Sequence, residues 1–179
     1  MNKKALSLKY QKKQKHLKNK NMKNSPISPK LNNFIENWFE AKKELFTFVS
    51  VDDFDENDIE GTLKKHIKRF EDTKKIYIWT GESEKTIFAS AEINHKFRAW
   101  HDFYHITKNL SYNPKGEILV CEEQKKDLPK NFDFEKNLLD IEIKGQIQYF
   151  EQKNKFVSNQ YDFCIEYLKN GIEGALKIN

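Results

Sequence analysis

Apolar positions recur along most of this chain at helical intervals, separated by short polar links. Residues 31–48 place Phe34, Trp38, Ala41, Leu45 and Phe48 three or four apart, which predicts an amphipathic helix. Residues 58–71 do the same with Ile59, Leu63, Ile67 and Phe70. The stretch KKIYIWTGES, residues 74–83, alternates instead and is aromatic, predicting a short strand or extended segment that ends at Gly81. Four further helical patterns follow, at about 90–109, 114–127, 134–152 and 158–170. Asn113 is suited to cap the second of these, with Pro114 at its first position and Glu117 in its first turn. No internal repeat is present. The pattern predicts a mainly α fold, a single compact bundle-like helical domain over residues 31–179 with at most a short strand or hairpin.

Residues 1–30, MNKKALSLKYQKKQKHLKNKNMKNSPISPK, lack this periodicity and end in a Ser/Pro turn cluster. Residues 1–35 hold ten Lys and no Asp or Glu, so the net charge of +5 divides into a basic arm and a mildly acidic body. A disordered arm is expected. It is either a solvated tail or a holder of nucleic acid or another polyanion, because each phosphate neutralised by Lys releases a counterion.

Composition excludes some classes. No apolar run approaches the roughly 18 residues that a membrane span requires, so no membrane partner is expected. The N-terminus lacks the apolar core of a secretory signal. Cys121 and Cys164 are too few for a disulfide framework and have no partner at zinc-finger spacing. A reduced, cytoplasmic setting is the expectation.

The candidate chemistry lies in residues 97–150. In FRAWHDFYHI, residues 97–106, Arg98, His101, Asp102 and His105 follow the i, i+3, i+4, i+7 series and form one narrow polar stripe. Lys96 and Lys108 fall away from its centre, so the stripe is expected to face a cleft or the interior. Arg98 and Asp102 are spaced to pair, and a planar guanidinium suits a buried carboxylate or phosphate better than Lys does. Two other helices offer matching groups. Glu117, Cys121 and Gln124 share a face of one. Glu142 lies among Leu138, Leu139, Gly145, Gln146 and Tyr149 on the other, opposite Asp140, Lys144 and Glu151. Gly145 would let a neighbouring helix come close.

His101, His105, Glu117 and Glu142 therefore make a two-His, two-carboxylate set able to take a divalent metal ion, with Zn, Mn and Fe all compatible. Asp102, Gln124 and Gln146 could orient those ligands or hold a metal-bound water. The other reading is an inert hydrogen-bond network in which Arg98 neutralises Asp102 and Glu142.

The stretch WHDFYH resembles the His-Asp helix of the HD-domain phosphohydrolases. That resemblance implies metal ligation by His101 and Asp102, with His66 and Asp140 at the remaining positions, although Asp140 falls on the wet face. A longer likeness joins FRAWHDFYHI, YNPKGEILVCEEQ, DIEIKGQIQYF and NQYDF, which together resemble a family of uncharacterised proteins of tailed bacteriophages. Its polar positions match Arg98, His101, Asp102, His105, Glu117, Gln124, Glu142, Gln146 and Gln160. It implies a viral or host-cytoplasmic setting, with no reaction assigned.

Two function classes follow. One is a metal-dependent enzyme, a hydrolase of a phosphate-containing substrate. In it Glu142 or Glu117 would be the base, Arg98 would receive an anionic oxygen, and Asp102 would support catalysis. A redox non-haem iron site would use the same ligands. The other class is a non-catalytic nucleic-acid-binding or assembly protein whose polar stripe is structural. Neither Cys121 nor any Ser stands in a nucleophile pattern.

Overall fold

The computed structural model describes residues 25–88 and 90–178. Most of the expected arm lies outside the described residues. The body begins earlier than residue 31: Ile27 donates its N–H to the Ile87 carbonyl, and Ser28 caps the first helix. That helix, α1, is Pro29–Glu40, with proline at a position whose N–H has no intrahelical partner. The Ser28 hydroxyl also donates to Glu135 Oε1 at 2.7 Å, and both residues are buried.

The helix expected to continue to residue 48 stops at Glu40. A 3₁₀ turn, Lys43–Leu45, leads into β1, Phe46–Val49. Leu45 and Phe48, three apart, fit a helix, but Phe46 and Phe48 alternate, and the β-strand residues of FTFV with a partner strand at hand decide for the sheet. That partner is β2, Ile76–Trp79, paired in parallel with Phe46 opposite Ile76 and Val49 opposite Trp79. Parallel strands need a crossover. Here α2, Ile59–Thr73, supplies it.

The remaining elements are α3, Ala91–Lys108; α4, Pro114–Asp127; α5, Asp133–Asp140; a π-helical segment, Ile141–Gly145; α6, Gln146–Lys153; and α7, Gln160–Ala175. The domain is mainly α, as its periodicity predicts, with this two-stranded sheet at its side. Among the described residues no helix is long and apolar enough to cross a membrane.

Helix α3 is central and packs against α1, α2, α4 and β2. Its apolar side carries the fully buried Trp100, which meets Phe34 at 5.2 Å and Trp38 at 6.0 Å between ring centres. Rings of this size contribute both buried area and favourable tilted geometry. A single oxygen ties the cluster to α4: Asp127 Oδ2 accepts from Trp38 Nε1, Trp100 Nε1 and the Tyr104 hydroxyl at 3.0, 2.9 and 2.7 Å. Three helices are thereby fixed on one carboxylate, and α3 is held from its apolar side while its polar side faces away.

The π segment interrupts what the pattern reads as one helix. It adds a residue to the turn carrying Glu142 and Gly145. A Cβ at Gly145 would stand 3.2 Å from a ring carbon of Tyr167, so glycine permits the close packing of α7 expected there. Asp140 and Lys144 lie on the wet side, in a cluster with Lys125 and Glu122.

Candidate metal centre

Helical phase puts Asn94, Arg98, His101 and His105 on one side of α3, and Asn113 capping α4 aims its first turn at that side. The Asn113 side chain accepts from Gly116 N, starting α4 so that Glu117 points at the two histidines. His101 Nε2 lies 2.8 Å from Glu117 Oε2, His105 Nε2 lies 3.2 Å from Glu117 Oε1, and the two Nε2 atoms are 3.0 Å apart. One ligand atom from each of these three residues falls within 4.8 Å of the others, so the group can hold a metal ion.

The outward nitrogens are engaged elsewhere. His105 Nδ1 donates to the Leu110 carbonyl at 2.8 Å, which requires its proton on Nδ1. His101 Nδ1 faces Gln124 Oε1 at 3.1 Å and donates to it. In the neutral tautomers this leaves both Nε2 lone pairs and a carboxylate directed at one point. Outer hydrogen bonds that fix tautomer and ring orientation are how metal-ligating histidines are generally held. Burial opposes charge on His101, but the charge and hydrogen bond of Glu117 outweigh it and lift His101 to about 9. Burial likewise works against the Glu117 carboxylate, and the two imidazoles overcome it, lowering Glu117.

The other expected members stand differently. Glu142 is buried and lines the same cavity as His101 and Glu117, yet it is outside the three-residue group. Burial raises its carboxyl to about 8, a hydrogen bond from Gln146 and the charge of Arg98 offsetting only part. Asp102 makes neither a hydrogen bond nor an ion pair among the described residues; burial raises its pKa, and the nearby imidazoles oppose this only partly. The expected Arg98–Asp102 pair does not form. Arg98 turns instead to the loop after β2, where Nη1 donates to the carbonyls of Trp79 and Gly81 at 3.0 and 2.6 Å and Nη2 to that of Glu82 at 3.0 Å. Glu82 has a left-handed φ of 49°, and a guanidinium fork matches three converging carbonyls better than a carboxylate one turn away. Asp140, the last position in the HD-type set, is bound to Lys125 and Lys144.

The cavity measures about 950 Å³. Arg98, His101, Glu117, Glu142, Gln146 and Gln160 contribute to its wall, and Phe54, Phe150 and Phe156 give it an aromatic mouth. His105 sits behind the wall, fully buried, with the Tyr112 ring 4.5 Å from its own.

Two features escape a sequence reading. Asn94 lines the cavity one turn before Arg98; extending the polar series back by four residues would have found it. Tyr112, at the entrance of α4, carries no periodic signal. Its hydroxyl bonds His66 Nδ1 at 2.9 Å, while His66 Nε2 meets Asp53 at 3.0 Å and Arg69 meets the same carboxylate at 2.6 Å. His66 thus braces the site from α2 and is not in the ligand group. Cys121 is buried with its thiol pushed up to about 12, chiefly by burial, which removes it as a nucleophile.

Comparison with protein-family models, curated proteins and solved structures finds no match for this chain.

Proposed function

We propose that this protein is a metal-dependent enzyme, a hydrolase acting on a phosphate-containing substrate, with His101, His105 and Glu117 as ligands of a divalent ion. The observation that carries the reading is the convergence of two Nε2 atoms and a carboxylate within 4.8 Å, with both Nδ1 atoms engaged outward, beside a cavity large enough for a small-molecule substrate. Three protein ligands leave coordination positions open, the arrangement of catalytic rather than structural sites. Bound there, a divalent ion supplies Lewis acidity and a water of lowered pKa.

Two nitrogens and an oxygen suit Zn, Mn or Fe. Glu117 is committed to the ligand set and is not free to act as the base. Glu142 keeps its proton at neutral pH, so it does not act as the base either, and it offers that O–H to an oxygen of the substrate. Arg98 brings positive charge to the wall where an anionic substrate would lie.

The test is metal analysis of the purified chain, followed by an assay on generic phosphomonoesters and phosphodiesters. The expected result is about one metal ion per chain, and hydrolysis that is lost on chelation and in Glu117→Ala while the fold is kept. Absence of metal with full stability would sink the reading. One observation favours the alternative of a structural network: the His101–Glu117 ion pair at 2.8 Å is self-satisfied. In that case the activity is binding, through the lysines of the N-terminal segment, to nucleic acid or an acidic assembly partner.

A further inference from the structure

Within the cavity, away from the ligand triad, two buried polar atoms have no hydrogen-bond partner among the described residues: Asn94 Nδ2 and Glu142 Oε2. Their residues are only 3% and 6% exposed, and both line the cavity. Leaving a buried donor or acceptor unpaired is costly, so such groups are normally satisfied by something. Arg98, one helical turn after Asn94, lines the same cavity. Its Nη1 and one Nη2 hydrogen are spent on carbonyls, and no carboxylate stands within ion-pair distance of it among the described residues. Its Nε–H and second Nη2–H make a parallel pair of donors with no assigned acceptor. The guanidinium is also held against the Trp79 ring at 5.4 Å, which fixes its plane.

We propose that Asn94, Arg98 and Glu142 form a second subsite of the cavity, which takes an oxyanion of the substrate, a carboxylate or a phosphate group, about one to two helical turns from the ligand triad. All three are donors toward such a group. Asn94 offers its amide N–H and Arg98 its Nε/Nη2 edge, which fits two oxygens of one planar or tetrahedral anion. Glu142 offers its O–H, because its buried carboxyl retains the proton at neutral pH.

The spacing follows from the helix. Asn94, Arg98 and His101 are separated by four and three residues, so at a rise of about 1.5 Å per residue the subsite lies roughly 5–10 Å along α3 from the first ligand. The substrate is therefore two-headed. One end is anchored by its oxyanion beside Asn94, and the reacting bond is carried to His101 and Glu117. The inference deepens the hydrolase reading and rests on it for which end reacts, but the subsite itself does not require metal.

The experiment uses the full chain, stripped of metal with a chelator so that anions cannot bind an ion. Binding of phenylphosphate, benzoate and the uncharged benzyl alcohol is measured by titration calorimetry. At least one anion should bind clearly tighter than the alcohol, and whichever wins names the group. Asn94→Leu, of nearly the same shape, should weaken that anion about ten-fold or more. It should melt no lower than the wild type, since an unpaired buried donor has been removed, and should still load metal. If Asn94→Leu does not fold, Asn94→Asp supplies the second arm, its charge abolishing anion binding. Anions that bind no better than benzyl alcohol, or variants that bind them unchanged, would overturn the subsite. A chain that binds the anion but takes no metal would keep the subsite and remove the hydrolase reading.

Discussion

His101 and His105 bring their Nε2 atoms to 3.0 Å from each other, although each imidazole has its Nδ1 bonded outward. With the hydrogen of each neutral ring on Nδ1, the two Nε2 lone pairs can approach this closely only around a proton or a metal ion. In the metal-free protein it is a proton, held on His101 up to about pH 9 by Glu117 after burial has opposed it.

Metal must displace that proton, which sets the first prediction. Affinity for Zn or Mn should rise with pH until about 9, and calorimetry in buffers of different ionisation enthalpy should register proton release on binding. Gln124→Leu removes the outer bond to His101 and should lower metal affinity by about 10–100-fold. His105→Ala should abolish binding. Equal affinity in the wild type and Gln124→Leu would mean that the outer bond does not orient the ligand.

The second prediction concerns Glu142. Its folded-state pKa of about 8 lies above the ordinary 4.5, so the folded protein binds the proton more tightly than the unfolded chain. The contribution of Glu142 to stability is therefore full below 4.5, declines as pH rises from 4.5 to about 8, and is level beyond. The slope should reach at most about 1.4 kcal/mol per pH unit. Glu142→Gln should flatten this decline and melt higher than the wild type at pH 9. Denaturant titrations across this pH range check it, and an unchanged pH profile would count against a buried carboxyl.

Arg98→Lys gives the third. Lys keeps the charge but cannot serve the carbonyls of Trp79, Gly81 and Glu82 together. A loss of about 1–3 kcal/mol is expected, with the loop after β2 loosened. Arg69 is no inert comparison, since it binds Asp53 at 2.6 Å and stacks on Tyr77. The control is Lys68→Arg on the exposed face of α2, which should change stability by less than about 0.5 kcal/mol.

Periodicity alone carries the helices well, because a helix buries one face whatever it packs against; α4 runs Pro114–Asp127, as its cap and proline indicate. It fails at Leu45 and Phe48, where a four-residue strand takes its identity from a partner some thirty positions away. The candidate site divides in the same way. His101, His105 and Glu117 are legible because helical phase and an N-cap fix their directions. The Arg98–Asp102 pair is misread because spacing shows which groups can meet and not which backbone carbonyls compete for them. Asn94 looks like any polar residue near a helix start until its surroundings close over it. Glu142 is recognisable as a carboxylate in an apolar stripe, but the π segment that sets its direction has no signature in the pattern.

The last prediction separates the basic segment from the body. Residues 1–24 hold nine of the ten lysines of the N-terminal region. If they supply polyanion affinity, deleting them should weaken binding to DNA or RNA and flatten its dependence on salt, since fewer counterions are released. Melting temperature should stay unchanged. Extending the deletion to residue 30 should be a different experiment. It removes the bond from Ile27 to Ile87, the Ser28 cap of α1, and the 2.7 Å bond that serves the buried Glu135. Losing a cap and leaving a buried carboxylate unpaired should cost about 2–4 kcal/mol together. Ser28→Ala in the full chain should reproduce most of that loss with nucleic-acid affinity intact. Thermal melts and salt-series binding on the three variants decide the matter. Unchanged affinity without residues 1–24 would rule out the polyanion role, and a stable chain lacking residues 1–30 would show that the body does not need Ser28.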